Sequence, residues 1–207
     1  MTFTPTRRAA LAGVAAALAA PAAFAQDADL AASGYAIGDM SIGSVDAPLT
    51  VTEYSSLTCP HCATFHVNTW PAIKEQYVDT GRVRFVFREV YFDQYGLWAS
   101  MISRCGGEGP FFGYVDTFFK RQREWSRADD VVSEMQRIGR LGGLSPERMQ
   151  TCLTDEAFMR RLVEDYQRNA EADNLRSTPT FIIDGASHSG AMGVQEFSAL
   201  LDAALAD

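Results

Sequence analysis

Two cysteines two residues apart, in Cys59-Pro60-His61-Cys62, carry the reactive chemistry of this 207-residue chain. They follow an apolar, β-prone run from Leu49 to Tyr54, and a helical pattern begins at Pro60. A C-x-x-C pair on a strand-to-helix turn points to thiol–disulfide redox chemistry rather than to metal binding. A zinc site needs four nitrogen or sulfur ligands, and the other cysteines, Cys105 and Cys152, stand alone with no second C-x-x-C. The expectation is a redox dithiol with no metal and no organic cofactor.

The position of each residue suggests its role. Cys59 is expected to be the nucleophile, because unpaired N–H groups and the macrodipole at a helix N-terminus favour an anion. His61 can add a positive charge or a hydrogen bond toward the sulfur, and both effects lower a thiol pKa. A stabilised thiolate leaves readily, which favours the reduced form and makes the disulfide oxidising. Cys62, one turn into the helix, is expected to be the buried resolving thiol, and Pro60 suits the first helical turn. Glu53 shares a strand face with Leu49 and Val51. A carboxylate facing a core is costly unless paired or protonated, so Glu53 reads either as a proton acceptor near Cys62 or as an exposed edge glutamate. His66 and His188 are expected to be structural or solvated.

The elements that must position these residues can be read from periodicity. Leu49 to Tyr54 alternates as a strand, a helix is expected from Pro60 to about Asp79, and Val83 to Val90 is a second strand. A short edge strand is expected within Tyr35 to Ile42. Apolar residues then recur at helical spacing in successive segments: Leu97 to Cys105, Phe111 to Phe119, Val131 to Leu141, one opened by Ser145-Pro146, and a longer one from about Thr154 to Glu171. The aromatic series Phe111 to Phe119 reads as core. Thr180 to Ile183 and Ala186 to Ser189 flank Asp184-Gly185, a hairpin signal, and a closing helix is expected from Val194 to Ala206. The order is β-α-β, a helical block, then β-β-α.

The first 25 residues read as a leader: Arg7-Arg8, an Ala-rich apolar run, and Ala23-Phe24-Ala25 as a cleavage pattern. The apolar run is too short for a transmembrane anchor. Arg7-Arg8 leaves export by either the Sec or the twin-arginine route open. Cleavage after Ala25 removes two arginines and no acids, so the formal charge of −8 becomes two units more negative. Nucleic acid and anionic membrane surfaces are therefore poor partners. Export to an oxidising compartment also bears on Cys105 and Cys152. They read either as two buried free thiols or as a structural disulfide, and export favours the bond. Closing a 47-residue span would contribute roughly 4 kcal/mol in the chain-entropy model.

C-x-x-C on the first βα turn, with Thr178-Pro179 opening the later hairpin, resembles the thioredoxin fold. A helical block between its halves, the Cys59-Pro60-His61-Cys62 motif, Val51-Thr52-Glu53-Tyr54 before it and Leu175-Arg176-Ser177-Thr178-Pro179 after it resemble the DsbA family. The resemblance implies an α/β thioredoxin fold with an inserted all-helical domain. Its divisions would be a signal peptide at 1–25, an N-terminal arm at 26–36, a thioredoxin-like domain at 37–92 and 174–207, and the insert at 93–173. It also implies a periplasmic, monomeric protein dithiol oxidase acting on cysteine-containing exported proteins, with a quinone-linked membrane reoxidant similar to DsbB. Pro179 would be cis, leaving Thr178 backbone groups free to pair with an extended substrate. Thr178 departs from the valine common in DsbA and is more like the disulfide isomerases, so isomerase or reductase activity is the alternative. A non-catalytic periplasmic chaperone is a third reading.

Overall fold

The structure is a computed structural model that describes residue 1 and residues 32–206. The expected leader beyond residue 1 and residues 26–31 of the expected arm lie outside the described residues. The chain runs β1 (Met40–Ile42), β2 (Leu49–Ser55), α1 (Pro60–Asn68), α2 (Trp70–Ile73), a π-helical turn (Lys74–Val78) and β3 (Val83–Glu89). Next come α3 (Gln94–Cys105), α4 (Phe111–Lys120), α5 (Gln122–Trp125), α6 (Val131–Leu141), α7 (Pro146–Leu153) and α8 (Glu156–Ala172). The chain closes with β4 (Thr180–Ile183), β5 (Ala186–Ser189) and α9 (Val194–Ala204).

The strands form one five-stranded mixed sheet in the order β1-β3-β2-β4-β5. β2 is central, parallel to β3 and antiparallel to β4. Leu49, Val51 and Glu53 share a buried face while Thr50 is exposed, and the alternation fades into a continuous buried run from Glu53 to Ser55, where the second face is covered as well. Parallel pairing of β2 and β3 demands a crossover, which α1, α2 and the π turn supply. Asp184 and Gly185 adopt φ of 47° and 75°, as the tight β4–β5 hairpin requires.

The expected single helix from Pro60 to Asp79 is three pieces. Pro71 has no N–H to donate, and its ring crowds the carbonyl four residues back. The helix breaks at Thr69, whose hydroxyl donates to the Met192 carbonyl at 2.8 Å. The long helix expected from Thr154 is capped instead by Asp155, whose carboxylate accepts from the Phe158 N–H at 3.0 Å. A short α5 that periodicity did not indicate follows α4.

Two apolar clusters meet at the sheet. One packs Val51, Phe65, Phe85, Phe181 and Phe197 between the sheet and α1, α2 and α9. The other is centred on α3 to α8 and includes Phe118, Trp125 and Phe158, but it also takes in Leu57, Cys59, Cys62 and Phe87. The cysteine motif therefore lies on the seam between the sheet layer and the helical insert. That seam is fastened by charge as well as by packing. The Arg104 guanidinium (α3) donates to both Glu89 oxygens (β3) at 2.6 Å, and Nη1 also donates to the Ala36 and Gly38 carbonyls at 3.0 Å. The Tyr54 hydroxyl (β2) bonds the Asp173 carboxylate at the end of α8 and receives a hydrogen bond from Arg88 Nη1 at 2.7 Å.

Candidate active site

Cys59 is the N-cap of α1, with extended backbone (φ −80°, ψ 120°) and Pro60 in the first turn. Its own N–H donates to the Ser56 carbonyl at 3.0 Å, and its carbonyl accepts from Ala63 N–H at 3.1 Å. An N-cap side chain faces the free N–H groups of the first turn. Here the cap is a sulfur, and the backbone N–H groups of His61 and Cys62 bear on it. Both motif cysteines are unbonded and buried.

The two thiols are driven apart electrostatically. The Cys59 thiol is held down at about 5, against an ordinary 9.0. The hydrogen bond from the Cys62 thiol contributes most, burial opposes it, and the Thr178 side chain and the two backbone N–H groups add to the lowering. The Cys59 sulfur also lies 3.6 Å from the Thr178 carbonyl oxygen, to which only the protonated thiol can donate. That contact favours the thiol, and the influences that favour the thiolate outweigh it. Cys62, fully buried, is pushed far above the thiol range, first by burial, then by its hydrogen bond to Cys59 and by the charge of Glu53. The surroundings favour a thiolate at Cys59 and a protonated thiol at Cys62.

The remaining expected residues fall as follows. Glu53 is completely buried, so it is no edge glutamate. Its Oε2 lies 2.8 Å from His66 Nε2, and its Oε1 has no hydrogen-bond partner. His61 is exposed, and no hydrogen bond of its ring is found among the described residues; its peptide N–H is the part that bears on Cys59. The Thr178–Pro179 peptide is cis and brings Thr178 against Cys59. Cys105 and Cys152 are joined as a disulfide that ties α3 to α7, with Cα atoms 6.0 Å apart. His188 lies on β5 at the sheet edge. Among the described residues, no group of three or more His, Cys, Asp or Glu is placed to hold a metal ion, and no helix is long and apolar enough to cross a membrane.

At two residues of the site the sequence reading missed the contacts: His66, read as structural or solvated, was given no partner, and Gln122 was not singled out. His66 is buried, stacked on Phe119 at 4.2 Å and edge-on to Phe87 at 5.7 Å. Its signal was available, because four residues after Cys62 places it on the same helix face. Gln122 had no such signal. From α5 its Nε2 donates to the Leu57 carbonyl at 2.8 Å and to the Cys59 carbonyl at 3.0 Å, clamping the active-site loop to the insert. A groove of about 710 Å³ runs beside α1, lined by Thr58, Pro60, Thr64, Tyr95 and Arg123 among others. A cavity of about 270 Å³ around Arg88, Arg104 and Tyr166 contains no cysteine.

Comparison with known proteins agrees with this geometry. A family model described as thioredoxin matches residues 36–203. A Rickettsia bellii protein named "Putative protein-disulfide oxidoreductase" is 33% identical over 168 residues, covering 81% of this chain and 64% of that protein. The chain thus spans slightly under two thirds of that relative's length. Disulfide bond formation protein D of Bacillus subtilis is 28% identical, covering 71% of this chain and 68% of that protein. Among solved structures, alpha-DsbA1 of Wolbachia pipientis superposes with a TM-score of 0.76 at 30% identity, covering 82% of this chain and 92% of that one.

Proposed function

The chain belongs to the thioredoxin-fold, DsbA-like family of protein-disulfide oxidoreductases, and we propose that within it this protein is a dithiol oxidase, introducing disulfide bonds into exported proteins through Cys59 and Cys62. The observation that carries this reading is the placement of the Cys59 sulfur at the N-terminus of α1, directly before Pro60, with the buried Cys62 one turn on, where the helix N–H groups favour an anion. It stabilises the thiolate, and whatever stabilises the thiolate also stabilises the reduced protein and makes the Cys59–Cys62 disulfide a stronger oxidant.

The cycle follows from the asymmetry of the pair. A substrate thiolate attacks Cys59 Sγ of the disulfide form. The Cys59–Cys62 bond breaks, and Cys62 leaves and takes up a proton. A second substrate thiolate then attacks the substrate sulfur of the mixed disulfide and expels Cys59 as a stabilised thiolate. Two substrate thiols are oxidised, and one enzyme disulfide is reduced by two electrons. Attack is directed to Cys59 because Cys62 is buried beneath it. Thr178, beside the sulfur, offers backbone groups to an extended substrate segment, and Pro179 fixes the local chain. Pro60 starts the helix whose N–H groups face the sulfur, and Glu53 exchanges the proton of Cys62.

On this reading the chain is exported by the Sec or twin-arginine route and cleaved after Ala25. It works in the periplasm as a monomer and is reoxidised by a DsbB-like, quinone-linked membrane partner. Equilibration of the Cys59–Cys62 pair against glutathione tests the reading. A potential well above that of the glutathione couple is expected. A strongly reducing, thioredoxin-like value would sink it. The isomerase alternative, favoured by Thr178, predicts instead that the reduced protein rearranges a scrambled disulfide substrate faster than the oxidised protein oxidises a reduced one.

A further inference from the structure

Among the described residues, His66 is a buried titratable side chain beside the motif that the cycle above does not use. It lies one helical turn after Cys62 on α1, and its Nε2 meets Glu53 Oε2 at 2.8 Å. The side chains of the pair are 3% and 0% exposed. The elements packed around His66 present aromatic rings: Phe87 from β3, Trp70 from α2 and Phe119 from α4. The titratable neighbours are Glu53 on β2 and Cys62 on its own helix, with Cys59 beyond. Glu53 Oε1, the other carboxylate oxygen, is buried without a partner, and the charge of Glu53 bears on the Cys62 thiol. A buried carboxylate oxygen without a hydrogen bond is costly, so its persistence in a fully enclosed site calls for a function.

We propose that His66 is a positioning residue for the resolving step. It donates from Nε2 to Glu53 Oε2, which fixes the carboxylate rotamer and leaves Oε1 as the atom that exchanges a proton with Cys62. The inference rests on the dithiol-exchange reading above. In the step concerned, Cys59 is joined to a partner sulfur in a mixed disulfide. The Cys62 thiol gives its proton to Glu53 Oε1, directly or through one water. Cys62 Sγ bonds Cys59 Sγ, the bond from Cys59 to the partner sulfur breaks, and the partner leaves as a thiolate. Cys62 is oxidised, the partner sulfur is reduced, and Glu53 holds the proton. The reverse step returns the proton along the same atoms. Without a donor on Oε2 the carboxylate would be free to rotate and to turn Oε1 away from the sulfur. Stacking on Phe119 holds the imidazole, so the insert fixes the proton acceptor through His66.

The test is stopped-flow reaction of the reduced full-length protein with oxidised glutathione. It separates formation of the Cys59 mixed disulfide from its resolution by Cys62, across a pH series. His66→Leu is expected to slow resolution by about tenfold or more and to displace its pH profile, with mixed-disulfide formation unchanged. His66→Gln, which keeps a donor within reach of Oε2, is expected to restore most of the rate. Because the two residues act as a unit, His66→Leu with Glu53→Gln should be no slower than Glu53→Gln alone. Equal slowing of both steps, an unshifted pH profile, or a double variant whose loss is the product of the single losses would overturn the proposal. If His66→Leu does not fold, a folded His66→Gln that loses resolution as fully as Glu53→Gln overturns it as well. A wild-type protein that forms no mixed disulfide at all would instead remove the dithiol-exchange reading itself.

Discussion

At the scale of single residues, the chemistry rests on a sulfur occupying a position where helices ordinarily place an oxygen cap. Cys59 stands at the N-cap position of α1, and the thiolate is expected to titrate with a midpoint of about 5 by ultraviolet absorbance; a midpoint near the free-thiol value would remove the case for activation. The donors are named, so their removal can be ranked. Thr178→Val deletes a side chain that lowers the Cys59 pKa, whereas the His61 ring is exposed. Thr178→Val is therefore expected to raise the midpoint more than His61→Ala does, and the reverse order would mean that the imidazole acts at a distance on the sulfur. Linkage fixes the sign of the pH effect on the reduced protein. Cys59 has a depressed folded pKa, so its contribution to stability is absent below about 5, grows as pH rises, and is complete near 9.0, the ordinary thiol value. Cys62 has a raised folded pKa, so above that value it begins to oppose folding. Denaturant melts of the reduced protein should show stability rising relative to the oxidised form between about pH 5 and pH 9. A gap that does not change over that range would contradict a thiolate stabilised by the fold.

At the scale of elements, the site is held by contacts from the insert to the βα turn. α1 is short because Pro71 interrupts it, so the turn bearing Cys59 cannot rely on a long helix for rigidity. Gln122 on α5 supplies two hydrogen bonds to that turn, at Leu57 and Cys59. Gln122→Ala leaves the Leu57 carbonyl without its side-chain donor and the Cys59 carbonyl with the Ala63 N–H alone, and a loss of about 1–3 kcal/mol is expected in denaturant melts. A faster amide exchange at residues 57–63 should accompany it, and an unperturbed turn would mean that packing alone positions Cys59. The Glu89–Arg104 pair plays the matching part between β3 and α3. Buried ion pairs add little net stability but are costly to break from one side. Arg104→Leu strands the Glu89 carboxylate at 5% exposure and removes two bonds to backbone carbonyls. About 3–5 kcal/mol of destabilisation is expected, partly recovered when Glu89→Leu is added. A double variant no more stable than the single one would contradict this account.

At the scale of the molecule, the two cysteine pairs carry opposite energetics. The Cys105–Cys152 bond closes a 47-residue span between α3 and α7, so its loss in a double alanine variant is expected to cost about 4 kcal/mol. No contribution of that pair to the Cys59 thiol is found, so the redox potential of Cys59–Cys62 should be unchanged. The active pair closes a minimal loop with little entropy to gain, while its disulfide forfeits the interactions that stabilise the thiolate. Selective reduction of Cys59–Cys62, with Cys105–Cys152 intact, is therefore expected to raise the stability of the protein at neutral pH. A clearly more stable oxidised form would argue for a reducing poise.

The sequence by itself determined the redox-motif placement and the order of the larger elements. A C-x-x-C pair after a β-prone run, a proline in the first turn and apolar periodicity that changes from strand to helix and back are local signals, and local signals are what propensity and spacing encode. Glu53 could be placed on a core-facing strand side, but its environment could not be read, because burial depends on β3 and β4 flanking β2. Only the tertiary structure decided that His66 is its partner, that Gln122 reaches back across 63 residues to the Cys59 carbonyl, and that Arg104 neutralises Glu89. Those contacts join elements far apart in the chain, and no periodicity records them. The break at Thr69 was locally signalled by Pro71, yet the helix could instead have kinked and continued; the bond from the Thr69 hydroxyl to the Met192 carbonyl comes from the far end of the chain. Reactivity was written in neighbouring residues, and the enclosure that separates the properties of two identical thiols came from the packing of the insert against the sheet.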